Sequence, residues 1–395
     1  MNKPYWILSA CLAFAASTAT LRADQFGLLT SVGNTGQAAD GQANYSAAPA
    51  SPPAPQYDWL GRQISLTTGT TGTTGPETQI GKAADCACDC CTPPWAHRCN
   101  TFFEVMVLRP RDAEVAYATA IEGPIVAGVP PVQVGRIGVA DPDYTPGWRL
   151  GATWAFNECS SLVFTYSRFE SSTNDSVTTT APNVIRSSVL HPGTANAGSD
   201  FLDARAVSDV DFQLFDIDYR AVWDSGDLWA INYVAGFRYA QLNQAFTGVF
   251  DNTGTLEQLN TRSTFEGAGL KLGLDGEKHA YNSGLFIYGR TNVSFIAGDT
   301  RARYFQSSDV DPSIVDTNWK AGRIVTILDL ELGAGWQSPC GRWRINGGYL
   351  FASWYNVLPT DQWIRNVQTN DFVDDNHVND AITFDGFTMR LTYQW

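Results

Sequence analysis

The chain has 395 residues, with 26 Lys+Arg against 40 Asp+Glu and a formal net charge of -14. That balance repels phosphate backbones, so nucleic acid is excluded as a partner and anionic headgroup binding is disfavoured. Charged residues make up only 17% while aromatics reach 12% with 35 glycines, which suits an all-β protein with one apolar face better than a cytosolic enzyme.

Residues 1–23 read as an export signal, with Lys3 as the positive n-region and Tyr5 to Ala16 as a short apolar core. Ser17-Thr18-Ala19 and Leu21-Arg22-Ala23 are both suitable cleavage sites. Leu8-Ser9-Ala10-Cys11 has lipobox character, but the apolar run before it is short. No other segment offers the eighteen apolar residues a transmembrane helix needs. Residues 24–100 are rich in Ala, Gly, Thr, Ser and Pro, including Ser51-Pro52-Pro53-Ala54-Pro55 and a Thr-Thr-Gly repeat over 67–75. Such composition cannot bury enough apolar surface to offset its ordering entropy, and predicts a disordered periplasmic arm.

From Thr101 onward, apolar and polar residues alternate with period two. Ten strands follow: about 101–109, 146–156, 161–170, 210–223, 228–243, 262–275, 281–297, 321–337, 341–355 and 381–395, with twelve also compatible. Connections after even strands are short and those after odd strands long, the arrangement of an antiparallel up-and-down transmembrane β-barrel over 101–395. A soluble sandwich also alternates. Against it stand the length of the strands, the aromatics near the ends of the apolar faces (Trp148, Trp154, Trp223, Trp229, Trp336, Trp343, Tyr393, Trp395) and the final strand ending on Trp395. That terminal strand has the form read by the barrel-assembly machinery, although Phe384 stands where a polar residue is usual.

Arg136-Ile137-Gly138-Val139-Ala140-Asp141-Pro142-Asp143-Tyr144, Pro146-Gly147-Trp148-Arg149 and Phe169-Glu170-Ser171-Ser172 resemble segments of the pore-forming outer membrane proteins related to the Legionella major outer membrane protein, a group that reaches into planctomycetes. The resemblance covers about 101–395 and implies an outer-membrane location and a pore.

Strand parity places Glu104, Asp216, Asp218, Asp329 and Glu331 on the inner wall with Arg149, Arg220, Arg238, Lys271, Arg290, Arg344 and Arg390. One reading is an ion path whose charged ladders set selectivity; the other is mutual pairing that fills a narrow ten-stranded lumen. Seven cysteines remain beyond the signal. Cys86, Cys88, Cys90, Cys91 and Cys99 cluster around His97, while Cys159 and Cys340 sit in short turns. After export, disulfides within the chain or between envelope partners are the default. Cys88, Cys91, His97 and Cys99 also have metal-ligand spacing, a weaker reading because exported thiols oxidise. Acidic loop residues (Asp141, Asp143, Asp309, Asp311, Asp371, Asp374, Asp375, Asp380) beside His377 suggest cation attraction at the outer mouth, and more distantly an omptin-like hydrolase. No nucleophile elbow, P-loop or zinc-helix motif is present, so a non-enzymatic protein without a cofactor is expected. The expected function is passive passage of small solutes or ions, with a cation preference. The alternative is a structural barrel with a plugged lumen, cross-linked or homo-oligomeric.

Overall fold

The computed structural model describes residues 93–124, 130–252, 254–281, 283–372 and 380–395. Ten antiparallel strands close into a barrel: β1 (Asn100–Arg111), β4 (Thr145–Asn157), β5 (Ser160–Thr178), β7 (Asp203–Gly226), β8 (Trp229–Asn252), β9 (Thr255–His279), β10 (Leu285–Ser308), β11 (Val315–Gln337), β12 (Trp343–Val357) and β13 (Asp380–Gln394). Each pairs with its barrel neighbour, and the last strand closes the ring by lying against β1, with Glu104 opposite Arg390. Closure leaves no open edge, which lets strands cross a bilayer without unsatisfied backbone groups.

The outward face of β11 runs from Trp336 through Leu332, Leu330 and Leu328 to Ile324. Those twelve or so residues, on a strand tilted by roughly 40°, rise about 30 Å, the height of a hydrocarbon core. Exposed Trp154, Trp223, Trp343 and Trp395 mark its short-turn rim. At the opposite rim the outward face turns charged: Lys320 pairs with Asp299 at 3.0 Å and the Tyr239 hydroxyl donates to Glu266 at 2.8 Å.

The strand count agrees with the alternation, but the middle strands are longer than expected. β7, β8 and β10 each have 24 residues and β9 has 25, about 80 Å of extended chain. The stretches 244–261 and 298–320, expected as loops, are mostly these strands running on into water; β8 and β9 are separated by only residues 253–254. Two other long connections fold. β2 (Val115–Ile121), β3 (Gln133–Ala140) and β6 (Val184–Ser187) make a separate sheet in the order β3-β2-β6. The last long connection contains α1 (Thr360–Thr369). Alternation over four to eight residues does not reveal such elements when their partners lie far away in the chain.

Candidate functional site

All twelve charged residues assigned to the inner wall point inward, and the structure joins them into ion pairs. Arg238 forks onto Asp216 at 2.7 and 2.9 Å and reaches across to Asp329 at 2.6 Å. Lys271 bridges Asp216 (2.9 Å) and Asp218 (2.6 Å). Fully buried Glu104 holds Arg149 at 2.7 Å and also pairs with Arg390. Glu331 accepts from the Tyr288 hydroxyl at 2.7 Å and pairs with Arg290 at 3.3 Å, with Arg149 approaching at 3.9 Å. Two carboxylates that sequence reading missed complete the wall: Asp275 takes Arg220 at 3.2 Å, and Glu277 takes Arg344. Glu277 falls in the expected turn 276–280, whereas β9 continues to His279; Asp275 lies within the expected strand and shares the parity of Lys271, which by itself assigns it to the inner wall. Adding these two to the five acids gives seven carboxylates against seven cations, an electroneutral wall.

The guanidiniums also lie on aromatic rings. Arg344 sits 3.9 Å from the centroid of Phe286 and Arg390 4.3 Å from that of Phe102. A side chain at Gly151 would collide with the Phe102 ring, so only glycine lets that ring lie flat on β4. Between the pairs remains a cavity of about 170 Å³, bordered by Arg149, Arg238, Lys271, Asp275, Arg290 and Glu331.

Above this charged chamber the interior changes character. Phe169, Phe212, Trp354 and Phe384 form one interlocked aromatic group, with centroids 4.9 Å apart for Phe212–Phe384, 5.3 Å for Phe169–Phe212 and 6.1 Å for Phe212–Trp354. Met106, Leu108, Ile296, Val325, Ile327 and Ile382 surround them, each wholly buried. Charge thus occupies the short-turn half of the lumen, and an apolar layer that strand parity did not anticipate fills the section beyond it. The same position explains Phe384, which looked out of place in the final strand.

The layer is capped. Gln244 Nε2 and Ser263 Oγ both donate to the Leu358 carbonyl at 3.1 Å, and the Thr360 amide donates to Gln244 Oε1 at 3.1 Å, holding the start of α1 over the barrel's outer end. Trp363 of α1 is fully buried in a second core with Tyr117, Ile185, Phe201, Phe246 and Tyr304, which joins α1 and the small sheet to the extended strands. Burial pushes the Asp361 carboxyl on α1 up from its ordinary range. Burial likewise pushes up the Tyr117 phenol, which donates to Asp175 at 3.0 Å.

Cys159 and Cys340 sit in their short turns with exposed thiols. The Cys99 carbonyl accepts from the Trp395 amide at 3.0 Å, at the closing seam. Cys86, Cys88, Cys90 and Cys91 lie outside the described residues, as do Asp374, Asp375 and His377. His97 Nε2 lies 3.0 Å from Asn232 Oδ1, and among the described residues no group of three or more His, Cys, Asp or Glu side chains could hold a metal. Of the acidic loop residues, Asp141 is already paired with Arg109 at 2.6 Å.

The profile of the family described as the Legionella pneumophila major outer membrane protein precursor matches residues 92–395. No curated protein matches the chain. Among solved structures, the outer membrane protease OmpT from Escherichia coli aligns at 10% identity and a TM-score of 0.43, over 76% of this chain and 97% of that one. The toluene transporter TodX of P. putida aligns at 8% identity and a TM-score of 0.25, over 75% and 90% of the two chains. A FadL homologue from Pseudomonas aeruginosa gives 7% identity and a TM-score of 0.22, again over 75% and 90%.

Proposed function

The chain belongs to the family of the Legionella pneumophila major outer membrane protein and is an integral outer-membrane β-barrel; from that premise we propose that it forms a pore for passive passage of small solutes or ions, held here in a closed arrangement. The observation that carries this reading is the juxtaposition of a charged cavity with an apolar layer stacked directly on it. Filling a lumen with ionised groups is a costly way to make a plug, because each charge must be desolvated and apolar residues of similar volume serve as well or better. A charged wall is useful where water and ions have to be accommodated. An apolar constriction blocks them by excluding water and opens once its side chains part. The aromatic rings pack against one another beneath the hydrogen bonds that seat α1.

The wall's electroneutrality removes it as a source of ion preference, so a cation preference falls to exposed loop acids such as Asp143, Asp309 and Asp311. The twelve wall residues then line the aqueous path, and lipid, passing solutes and the assembly machinery engaging the strand that ends at Trp395 are the partners. The test is single-channel recording of the refolded protein in planar bilayers, comparing wild type with Phe212→Ala/Phe384→Ala. Rare steps in wild type and frequent ones in the variant are expected, with a reversal potential favouring cations. Silence from both, in protein shown to be folded, favours the second reading, a structural envelope barrel. The observations on its side are the completeness of the charge pairing and the total burial of the layer.

A further inference from the structure

The last residues before β1 do not hang free below the barrel, although sequence reading placed them in the arm. They contact three of the four short turns. The Trp95 indole donates to the Gly226 carbonyl at 2.7 Å, at the end of β7 where the chain enters the turn to β8. The His97 amide donates to the Glu158 carbonyl at 2.9 Å, in the turn between β4 and β5. The Arg98 guanidinium lies so close to Gly341, in the turn between β11 and β12, that a Cβ there would sit 2.7 Å from it; Gly341 has a φ of +67°, so that position suits glycine twice over. In the ring order the first two turns are adjacent, but β9 and β10 on one side, and β13 and β1 on the other, separate the third from them. A segment tied to all three lies across the opening.

Its central side chain enters that opening. His97 is only 9% exposed and Nε2 meets Asn232, itself 1% exposed, on the inner face of β8. Nδ1 has no partner. The charged groups facing the ring are Arg220 from β7 and Asp275 and Glu277 from β9. Both carboxylates are already engaged, Asp275 by Arg220 and Glu277 by Arg344 of β12 and by His279. The Glu158 side chain stays exposed. A proton on His97 would gain no free counter-ion and would face Arg220.

We propose that residues 93–99 are a strap across the short-turn mouth of the barrel, with His97 as its acid-sensitive pin: seated when the imidazole is neutral, released when it is protonated. Burial, reinforced by Arg220, lowers the His97 imidazole from its ordinary range to about 4. A group buried in its neutral form gives its full stabilisation above the ordinary imidazole range. It loses that stabilisation as pH falls through that range toward about 4. The effect on passage rests on the pore reading; the seating of the strap does not.

The test is hydrogen exchange by mass spectrometry on the full chain refolded in nanodiscs, following peptides that cover 93–99 as pH is lowered from neutral. Rates are corrected for intrinsic pH dependence, and His97→Gln is run alongside. Wild-type protection is expected at neutral pH and to fall by at least about tenfold one to two pH units below the ordinary imidazole range. His97→Gln, neutral throughout and still able to reach Asn232, is expected to stay protected. No protection at neutral pH, or an equal loss in both proteins, overturns the proposal. If the variant does not fold, wild type decides alone: protection unchanged down to about pH 4 overturns it. Bilayer recordings separate the two readings. Silence together with an acid-labile strap removes the pore and keeps the strap, while conduction with an unprotected 93–99 does the reverse.

Discussion

The two halves of the barrel interior use the same backbone for opposite purposes. In the short-turn half, seven carboxylates and seven cations face one another across the lumen and leave a cavity. In the outer half, Phe169, Phe212, Trp354, Phe384 and their aliphatic neighbours are buried almost completely. The outside of the barrel reverses this order. Its wall is apolar beside the charged chamber, where lipid surrounds it, and polar farther out, where water does. Each level thus has one apolar and one polar face, and they exchange sides at the membrane's outer edge. A span through lipid needs its apolar face outward, so its polar residues are confined to the lumen. Beyond the lipid the strands are free to build an ordinary inward core, and that core is what closes the barrel.

Four substitutions probe the four quadrants of this arrangement. Trp354→Ala, inside the outer half, is expected to have the largest effect, a loss of about 4 kcal/mol as for other large-to-small core changes. It is read as a lowered urea midpoint in the heat-modifiable gel mobility, and an unchanged midpoint would mean the layer is not a packed core. Glu104→Gln, inside the charged half, strips the shared carboxylate from Arg149 and Arg390. A cost of about 3 kcal/mol is expected, with a shift of the reversal potential toward anions. Loss of stability without that shift would assign the pair a purely structural role. Leu272→Arg, outward at the level of the charged chamber and 53% exposed to the surroundings, is expected to cost about 2 kcal/mol in bilayers. A neutral result would move the lipid boundary away from this level. Arg303→Ala, outward on the extended strands, breaks an exposed pair with Asp316 at 2.9 Å and is expected to change stability by less than about 0.5 kcal/mol. A larger change would place lipid, or a second copy, against a surface assigned here to water.

The exchange of faces is written in the strands. On β7 the apolar positions are odd from Phe215 to Trp223 but even at Val210, Phe212 and Leu214. β8 changes in the same way, from Phe237 and Tyr239 to Ala240, Leu242 and Phe246. Reading one parity per strand carried these elements only a few residues past the change (210–223 and 228–243), turned the remainder into a loop and left the apolar layer unseen. The charged residues were legible because alternation assigns them to one side whatever they bind. Their partners were not, since Arg238–Asp329 and Arg149–Glu331 join strands far apart in the chain. The role of 93–99 was equally hidden: Trp95 and His97 sit in a low-complexity context, and nothing local ties them to turns more than sixty residues away.

The sequence by itself determined the antiparallel barrel, its ten strands and the side of the wall on which each charge stands. These follow from a period-two pattern and from the bilayer's demand that every backbone group be paired. Only the tertiary structure decided that the lumen is closed. Ring closure brings Phe169 of β5, Phe212 of β7, Trp354 of β12 and Phe384 of β13 to one level, and packing between residues so distant in the chain depends on strand register around the whole ring, which no local pattern encodes.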